Sequence, residues 1–448
     1  MQDPPSSVPA VGAKQGGENP APIIERRARR ERWAWAEASI WTDRMLAALE
    51  EGVKGGCWFS LIDKVCSPQN LWASWAKVAR NKGSAGVDGV TIEQFQKDAE
   101  ANLRHLSQRL RDGTYRPKPI RRTQIPKADG TRRPLGIPTV QDRIVQGAVR
   151  HAIEPIFERH FAQHSYGFRP GRGCKDALRR VDALLKDGYR YVVDADLKSY
   201  FDTIPHDLLM RQVRLRVADG RVLRLIESFL DANIMEGTDQ WTPMAGSPQG
   251  AVLSPLLSNI YLDPLDHLMA DQPGLERVRY ADDFVILCRT QQQAQDALEQ
   301  VRRWTARAGL TLHPDKTRLI DAATESFEFL GYRFDKGRRY ARDKSKQKLR
   351  ASIRALTPRT SGVSLQATIA CLNPILRGWF GYFKHARLGT LREVDGYVRT
   401  RLRSILRKRC KRKGRARGAD HQRWPNAYFA ELGLFSLDRA QRAACASP

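Results

Sequence analysis

The chain has 448 residues and a formal net charge of +27, so it is long enough for two or three domains and basic enough to need a polyanionic partner. It has no run of about 18 apolar residues and no apolar signal core, so we expect no membrane partner and no secretory leader. Its cysteines form no Cys-x-x-Cys pair, which argues against a zinc module. Nucleic acid and a cytoplasmic location are the expectations that remain.

The N-terminal part is predicted to be a tail followed by helices. Residues 1–30 are rich in Pro, Gly, Ser and then Arg, which predicts a disordered basic tail. Residues 31–106 are predicted to form a helical extension whose tryptophans pack in a core, with a grip on nucleic acid by aromatics interleaved with basic residues as the alternative. Within it, a Gly-rich loop contains Lys82, which either contacts a nucleic-acid backbone or belongs to a purely structural loop.

A predicted hairpin follows, with Asp129-Gly130 as its turn. Its arms would bring Lys127 near Arg133, and paired cations of this kind suit a triphosphate, although an ordinary solvated hairpin is an equal alternative. Further on, a Gly/Pro-rich basic loop carries Arg169 and Arg172, which we expect to contact phosphates without reading bases.

Carboxylates mark the centre of the chain. Asp196 ends a predicted strand, with Asp194 two residues earlier on the same face. Asp282 and Asp283 lie at the tip of a predicted apolar hairpin. Adjacent anions repel, and Mg²⁺, which prefers hard oxygen ligands, gives a reason to place them there; a solvated hairpin tip is the alternative for this pair alone.

The positive charge is concentrated after Gly331. Residues 331–418 carry 26 Lys or Arg against 4 Asp or Glu. A helical, basic domain is predicted over 345–415, and the apolar part of 416–448 is expected to dock on the body. An arm too basic to pack, expected to bind nucleic acid, contains Lys408, Arg409, Lys411, Arg412 and Lys413.

Three aspartates on a strand end and a facing hairpin can hold two Mg²⁺ ions about 4 Å apart, and Mn²⁺ can substitute. Such a pair activates a 3′-hydroxyl and neutralises a leaving pyrophosphate, so catalysis consists mainly of positioning and charge neutralisation. The expected reaction is nucleotidyl transfer.

The ordered motifs resemble those of reverse transcriptases. They are Asp196-x-x-x-x-Phe201, Ser-Pro-Gln249-Gly, Tyr-Ala-Asp282-Asp283, Lys316-Thr and Phe-Leu-Gly-Tyr332. The blocks at 81–89, 133–138, 166–172 and 376–383 are similar to the group II intron-encoded branch, the reverse transcriptase–maturases. The resemblance covers about residues 60–415.

This resemblance implies an α/β (α+β) right-hand polymerase. Fingers and palm would occupy 107–335, with an antiparallel palm sheet backed by helices, and the maturase domain at 345–415 would form the thumb. Many relatives end in a zinc-associated His-Asn-His endonuclease; without Cys-x-x-Cys pairs we do not expect DNA cleavage by this chain.

The resemblance also assigns roles. Asp196, Asp282 and Asp283 would be the metal ligands, and Lys316 a proton donor to pyrophosphate. The predicted nucleotide contacts are Lys127 and Arg133 at the triphosphate, Gln249 beside the incoming nucleotide, and Phe201, which would exclude a ribose 2′-hydroxyl. The implied partners are group II intron RNA, a DNA target or primer and dNTPs, with a homodimer left open.

Three alternatives stay open at this point. The protein could be an RNA-binding splicing cofactor with little polymerase activity, although all three palm aspartates are present. It could be a related reverse transcriptase recruited to phage defence or diversity generation, against which the maturase-like block argues. A viral RNA polymerase is disfavoured by Tyr-Ala-Asp-Asp and by Phe201.

Overall fold

The computed structural model describes residues 20–126, 130–270, 272–360, 362–412 and 418–446. Its helices, in chain order, are α1 (Pro20–Arg32), α2 (Asp43–Glu51), α3 (Ile62–Val65), α4 (Pro68–Arg80), α5 (Ile92–Lys97), α6 (Ala99–Arg111), α7 (Val140–Glu158), α8 (Cys174–Lys186), α9 (Tyr200–Thr203), α10 (His206–Arg214), α11 (Gly220–Leu230), α12 (Ser254–Ala270), α13 (Gln291–Arg307), α14 (Asp343–Leu356), α15 (Leu365–Phe383), α16 (Leu388–Arg409), α17 (Gly418–Arg423), α18 (Asn426–Glu431) and α19 (Leu437–Ala446). Its strands are β1 (Ile120–Pro126), β2 (Arg132–Ile137), β3 (Tyr191–Ala195), β4 (Ile234–Glu236), β5 (Asp239–Trp241), β6 (Leu275–Tyr280), β7 (Asp283–Cys288), β8 (Arg318–Asp321), β9 (Ser326–Phe329), β10 (Tyr332–Asp335) and β11 (Arg338–Ala341).

The chain divides into two compact units. The first takes the described residues up to 160, with 210–244 and 248–254. The second takes 161–209, 245–247 and the described residues from 255 onward. The first unit contains β1 and β2 with the N-terminal helices, and the second contains β3 with the C-terminal helices. The domain boundaries at 107–335 and 345–415 stay predictions.

Two helices, α4 and α7, pack closely in the first unit. A Cβ at Gly147 would lie 2.1 Å from the Ser74 hydroxyl, so glycine is needed where α7 approaches α4. Ser74 Oγ donates to the Ile144 carbonyl at 2.7 Å, and Asn70 Nδ2 donates to the Ala148 carbonyl at 3.0 Å. Side-chain hydrogen bonds to helix carbonyls therefore reinforce the apolar contact between the two helices.

The hairpin predicted around Asp129-Gly130 is confirmed, although Lys127 and Asp129 lie outside the described residues. β1 and β2 are antiparallel, with Ile125 opposite Arg133. β4 pairs parallel to β1, and β5 pairs antiparallel to β4, so the sheet order is β2-β1-β4-β5. This sheet carries Arg133 on its outer strand.

The N-terminal region differs from the prediction. Residues 20–32 form α1, where the sequence predicted a disordered tail to residue 30. Glu50 on α2 accepts from Arg29 Nε at 3.0 Å and from the indole nitrogen of Trp33 at 3.0 Å. These tertiary contacts fix a segment of low apolar content, and composition alone does not reveal them. Residues 1–19 lie outside the described part of the chain.

The second unit contains the sheet that carries the aspartates. Its order is β6-β7-β3-β8, and all neighbouring strands are antiparallel. The helices α8 and α13 pack against it. The predicted antiparallel sheet backed by helices is therefore confirmed. A second sheet, β9-β10-β11, extends the same core, with the rings of Phe327 and Phe334 stacked 4.9 Å apart.

The C-terminal helices have an apolar core of their own. Leu372 and Leu376 of α15 and Leu402 of α16 are buried in it together with Phe429 and Leu437. The predicted docking of the C-terminal segment on the body is confirmed for its described residues. Among the described helices, none combines the length and apolar character needed to span a membrane.

Candidate active site

Asp196 lies at the end of β3, as the sequence predicted. The chain leaves the strand there and enters α9 through Ser199, whose φ is +50°. The backbone carbonyl of Asp196 accepts from His313 N at 2.7 Å. Its Oδ2 accepts from Lys316 Nζ at 2.9 Å. Lys316, the predicted proton donor, therefore forms an ion pair with the first predicted metal ligand.

Asp282 and Asp283 occupy the tip of the β6–β7 hairpin. Tyr280 is opposite Asp283, and Ala281 in the turn between them has a φ of +60°. A left-handed conformation at a residue with a Cβ is uncommon and requires support from its surroundings. The turn is therefore a constrained feature beside the predicted ligands.

Strand register brings the predicted ligands to one edge of the sheet. In the β3–β7 pairing, Ala195 is opposite Phe284, so Asp196 and Asp283 are the next positions at the same end of adjacent strands. Opposed residues on antiparallel strands are about 5 Å apart at Cα, and their side chains share a face. Asp194, two residues before Asp196, lies on that face too.

Negative charge at this edge is concentrated and partly buried. Burial raises the pKa of Asp283 to about 7, and the neighbouring carboxylates of Asp194, Asp282 and Asp196 add to the shift. Burial also raises the pKa of Asp194 to about 6, while the Arg318 guanidinium, 3.7 Å away, opposes the change. Lys316 beside Asp196 and Arg318 beside Asp194 therefore offset only part of the negative charge at this edge.

The donor set fits a hard divalent cation. Among the residues that the structure describes, no group of three or more His, Cys, Asp or Glu side chains is arranged so that it could hold a metal ion by itself. Mg²⁺, however, is usually held by one or two carboxylates together with substrate phosphates and water. The raised pKa of Asp283 identifies a carboxylate that a nearby cation would keep ionised.

The residues that support the hairpin were not predicted from the sequence. Arg279 on β6 is buried, and so is Asp266 on α12, to which it is paired. Burial alone would raise the pKa of Asp266, but the charges of Arg277 and Arg279 outweigh it and hold that pKa below its ordinary value. The available signal was Arg277-Val-Arg279, because two cations on one face of an apolar strand need a buried carboxylate partner.

Phe201 is held on the same connection that carries Asp196. It lies in α9 and is 8% exposed, with its ring edge-to-face against Tyr200 at 5.3 Å between centroids. Its carbonyl accepts from Ser247 N at 2.6 Å. A bulky, fixed ring near the strand end that carries Asp196 has the properties that a steric barrier to a ribose hydroxyl needs; that role stays a prediction.

Two of the predicted nucleotide contacts meet in the first unit. Arg133 Nε donates to Gln249 Oε1 at 2.5 Å, and the Gln249 carbonyl accepts from Gly136 N at 2.7 Å. Arg133 is exposed and Gln249 is half-buried. Their contact was not foreseen, because nothing in either motif indicates that β2 and the Ser-Pro-Gln-Gly turn are neighbours.

The Gly-rich loop near Lys82 is docked on the start of α7. Arg143 Nη2 donates to the Ser84 carbonyl at 2.6 Å. A Cβ at Gly86 would lie 2.7 Å from Thr139 Cα, so glycine is required at this contact. The loop therefore has a packing role, and the nucleic-acid contact of Lys82 stays a prediction. Lys82 remains exposed on it, with a φ of +48°.

The structure corrects the expectation for Arg169. This residue is 6% exposed, its Nη1 donates to the carbonyls of Ala162 at 2.6 Å and Ser165 at 2.9 Å, and its guanidinium lies over the Phe161 ring. The guanidinium satisfies backbone carbonyls of an irregular loop and is not displayed to a phosphate. Arg172 is half-buried and also donates to a backbone carbonyl, that of Gln163, so its phosphate contact stays a prediction.

The basic arm is exposed where the structure describes it. Lys408 and Arg409 end α16, and Lys411 and Arg412 follow it. Arg412 lies 3.7 Å from the Asp420 carboxylate. Lys413 lies outside the described residues.

Two family models match the chain. Residues 125–334 match the reverse transcriptase (RNA-dependent DNA polymerase) family, and residues 346–424 match the maturase-specific domain of group II introns. The first match contains the carboxylate edge, and the second begins in α14 and ends at Trp424.

Curated relatives agree with these models. The Escherichia coli protein YkfC is 36% identical over 313 residues, covering 61% of this chain and 82% of that protein. The group II intron-encoded protein LtrA of Lactococcus lactis is 38% identical over 200 residues, covering 44% of this chain and 33% of LtrA. A 91 kDa protein in the cob intron of Schizosaccharomyces pombe is 28% identical over 303 residues, covering 55% of this chain and 36% of that protein. The carboxylate edge, the maturase-specific match and these relatives together show that the chain belongs to the group II intron reverse transcriptase–maturase family.

Proposed function

We propose that the protein extends a DNA primer on an RNA template with dNTPs, and that Asp196, Asp282 and Asp283 hold two Mg²⁺ ions for this reaction. The observation that carries the proposal is the β3–β7 register, in which Asp196 and Asp283 adjoin at one sheet edge. The match of 125–334 to RNA-dependent DNA polymerases supports the same reaction class.

The residues at the edge have separate tasks. When bound, Mg²⁺ would activate the primer 3′-hydroxyl and neutralise charge on the leaving pyrophosphate. Burial and the neighbouring carboxylates raise the pKa of Asp283, so a bound cation would stabilise its ionised form more than that of an exposed carboxylate. The ammonium of Lys316, 2.9 Å from Asp196 Oδ2, is available to donate a proton to pyrophosphate.

Nucleotide selection is assigned to three side chains. Arg133 can fork onto phosphate oxygens with the guanidinium nitrogens that are not committed to Gln249. Gln249 would lie along the incoming nucleotide, and Phe201 would exclude a ribose 2′-hydroxyl by its volume. Lys127 lies outside the described residues and is assigned to the triphosphate from the sequence alone.

The same chain is proposed to hold group II intron RNA and thereby to assist splicing. The maturase-specific match at 346–424 covers most of the basic region. Exposed cations such as Lys408 and Lys411 can neutralise phosphates of a folded RNA without reading its sequence. A homodimer stays a prediction.

The test is primer extension by the full chain on RNA and DNA templates, with dNTPs or rNTPs and with Mg²⁺ present or chelated. We expect Mg²⁺-dependent extension on RNA with dNTPs. A folded chain that binds intron RNA but extends no primer on either template would overturn the polymerase assignment and favour the splicing cofactor.

A further inference from the structure

The buried side chain of Arg279 makes hydrogen bonds to α12 and to the turn before Asp282. Its Nε and Nη2 donate to the Asp266 carboxylate at 2.5–3.0 Å. Its Nη1 donates both to Asn259 Oδ1 at 2.8 Å and to the Ala281 carbonyl at 2.9 Å. One fully buried, rigid fork therefore joins two residues of α12 to the turn that precedes Asp282.

The turn is also held from its other side. Ala281 has a φ of +60°, and its backbone nitrogen lies so close to Gly167 that a Cβ there would meet it at 2.1 Å. Asn259 Nδ2 donates to the Gly167 carbonyl at 2.9 Å. The Asn259 side-chain amide therefore bonds both to Arg279, which holds the Ala281 carbonyl, and to Gly167, which packs against the Ala281 nitrogen. A conformation that L residues rarely adopt persists when its surroundings over-determine it in this manner.

Arg277 provides a comparison inside the same network. It lies two residues earlier on the same face of β6, and its Nη1 donates to Asp266 Oδ1 at 2.5 Å. Its guanidinium lies over the Phe284 ring at 4.2 Å. In the described part of the chain, its Nε and Nη2 have no hydrogen-bond partner. Arg277 therefore only neutralises Asp266, whereas Arg279 bonds both to Asp266 and to the turn.

We propose that Arg279 and Asn259 are positioning residues for the polymerase reaction: they hold the Ala281 turn so that Asp282 and Asp283 are presented at the sheet edge beside Asp196. This inference rests on the proposed function. Neither residue touches the reacting atoms, and each acts through the backbone of the turn. We call the contacts of Arg279 and Asn259 with the Ala281 turn the clamp. Losing the clamp lowers the fraction of molecules whose carboxylates are placed for metal binding, and small displacements of catalytic groups reduce the reaction rate strongly.

The test compares Arg279→Lys with the matched control Arg277→Lys. Both variants replace one buried guanidinium of the Asp266 network by an ammonium, so we expect both to lower the melting temperature, Arg279→Lys by more because Arg279 makes more hydrogen bonds. The kinetic comparison is therefore made well below both melting temperatures. Arg279→Lys alone loses the fork to Asn259 and Ala281. We expect its kcat to fall about ten- to a hundredfold with KM for dNTPs nearly unchanged, and the control to stay within about threefold. Parallel losses of kcat in the two variants would overturn the proposal.

A second variant covers the case in which Arg279→Lys does not fold. Asn259→Ala leaves the Asp266 ion pairs intact and removes both contacts of the amide. We expect faster hydrogen exchange in the peptide spanning 278–286 and a higher Mg²⁺ concentration for half-maximal binding, measured calorimetrically without substrate. Wild-type exchange and wild-type Mg²⁺ binding in this variant would overturn the clamp.

The two kinds of failure are distinguishable. If the wild-type chain extends no primer, the proposed function fails, and the exchange and Mg²⁺ measurements still decide whether the clamp fixes the turn. If the wild type extends primers and the two lysine variants behave alike, the clamp fails and the polymerase assignment stands.

Discussion

The carboxylate edge of the β6-β7-β3-β8 sheet and the basic C-terminal region hold charge in opposite ways. At the edge, a few anions are partly buried, coupled to one another and fixed by strand register. In the C-terminal region, many cations are exposed along helices and after α16. The function of the edge depends on where each carboxylate lies, whereas RNA binding by the C-terminal region depends on how many exposed cations it has. Single substitutions should therefore disable the first region and barely affect the second.

The largest effect is expected from Asp282→Ala. It removes one proposed Mg²⁺ ligand, so primer extension should fall on the order of 10³-fold or more while RNA binding is retained. Asp315→Asn is the matched control, because it removes one exposed negative charge beside Lys316 without altering the carboxylate edge. Steady-state extension and RNA titration measure the two properties separately. Extension by Asp282→Ala at near wild-type rate would refute the ligand assignment.

A stability effect of comparable free energy is expected from Asp266→Asn. The change leaves two buried guanidinium groups without their carboxylate, which costs about 3–5 kcal/mol. Asp438→Asn is the control: its carboxylate pairs with the half-exposed Arg392, and exposed pairs are worth about 0–1 kcal/mol. Urea denaturation compares the two. Equal midpoints would show that burial does not distinguish these ion pairs.

Sequence predicted the two regions to different extents. The strands and the hairpin around Asp196 and Asp283 follow from local apolar runs interrupted by carboxylates, so the edge itself was predictable. The support for it was not, because Asn259 and Asp266 come from a distant helix and only the fold brings them to Arg279. Pairing across long separations leaves little local signal.

The same reasoning explains the corrections. A Gly/Pro-rich loop with arginines predicts a phosphate contact, yet Arg169 satisfies the carbonyls of Ala162 and Ser165. Composition indicates that a loop is basic, but not which guanidinium the backbone uses. Likewise α1 looks disordered because its anchor, Glu50, lies outside it. In the basic region the helices were predictable, since amphipathic spacing defines them locally.

A smaller effect is expected for sugar selection. Phe201→Ala should admit rNTPs, lowering the preference for dNTPs by about ten- to a hundredfold, because the side chain excludes the hydroxyl by volume. Phe201→Leu keeps most of that volume and serves as the control. Competition between dNTPs and rNTPs in single-nucleotide extension gives the ratio. A ratio unchanged in Phe201→Ala would remove this residue from sugar selection.

The smallest effects per residue are expected in the basic arm. Each phosphate contact contributes about 0.7 to the log–log salt slope on single strands and about 0.9 on duplexes. Changing Lys408, Arg409 and Lys411 together to Gln should therefore flatten the slope by about two units, while Lys408→Gln alone should change it by less than one. Primer extension on a saturating short template should survive, because the carboxylate edge is intact.

The control changes three exposed arginines of α13, Arg302, Arg303 and Arg307, to Gln. RNA titrations at several salt concentrations measure both sets. A control that flattens the slope as much as the arm variant would show that RNA binding depends on overall charge and not on this arm. Loss of extension with RNA binding retained would show that the end of α16 supports the polymerase fold instead.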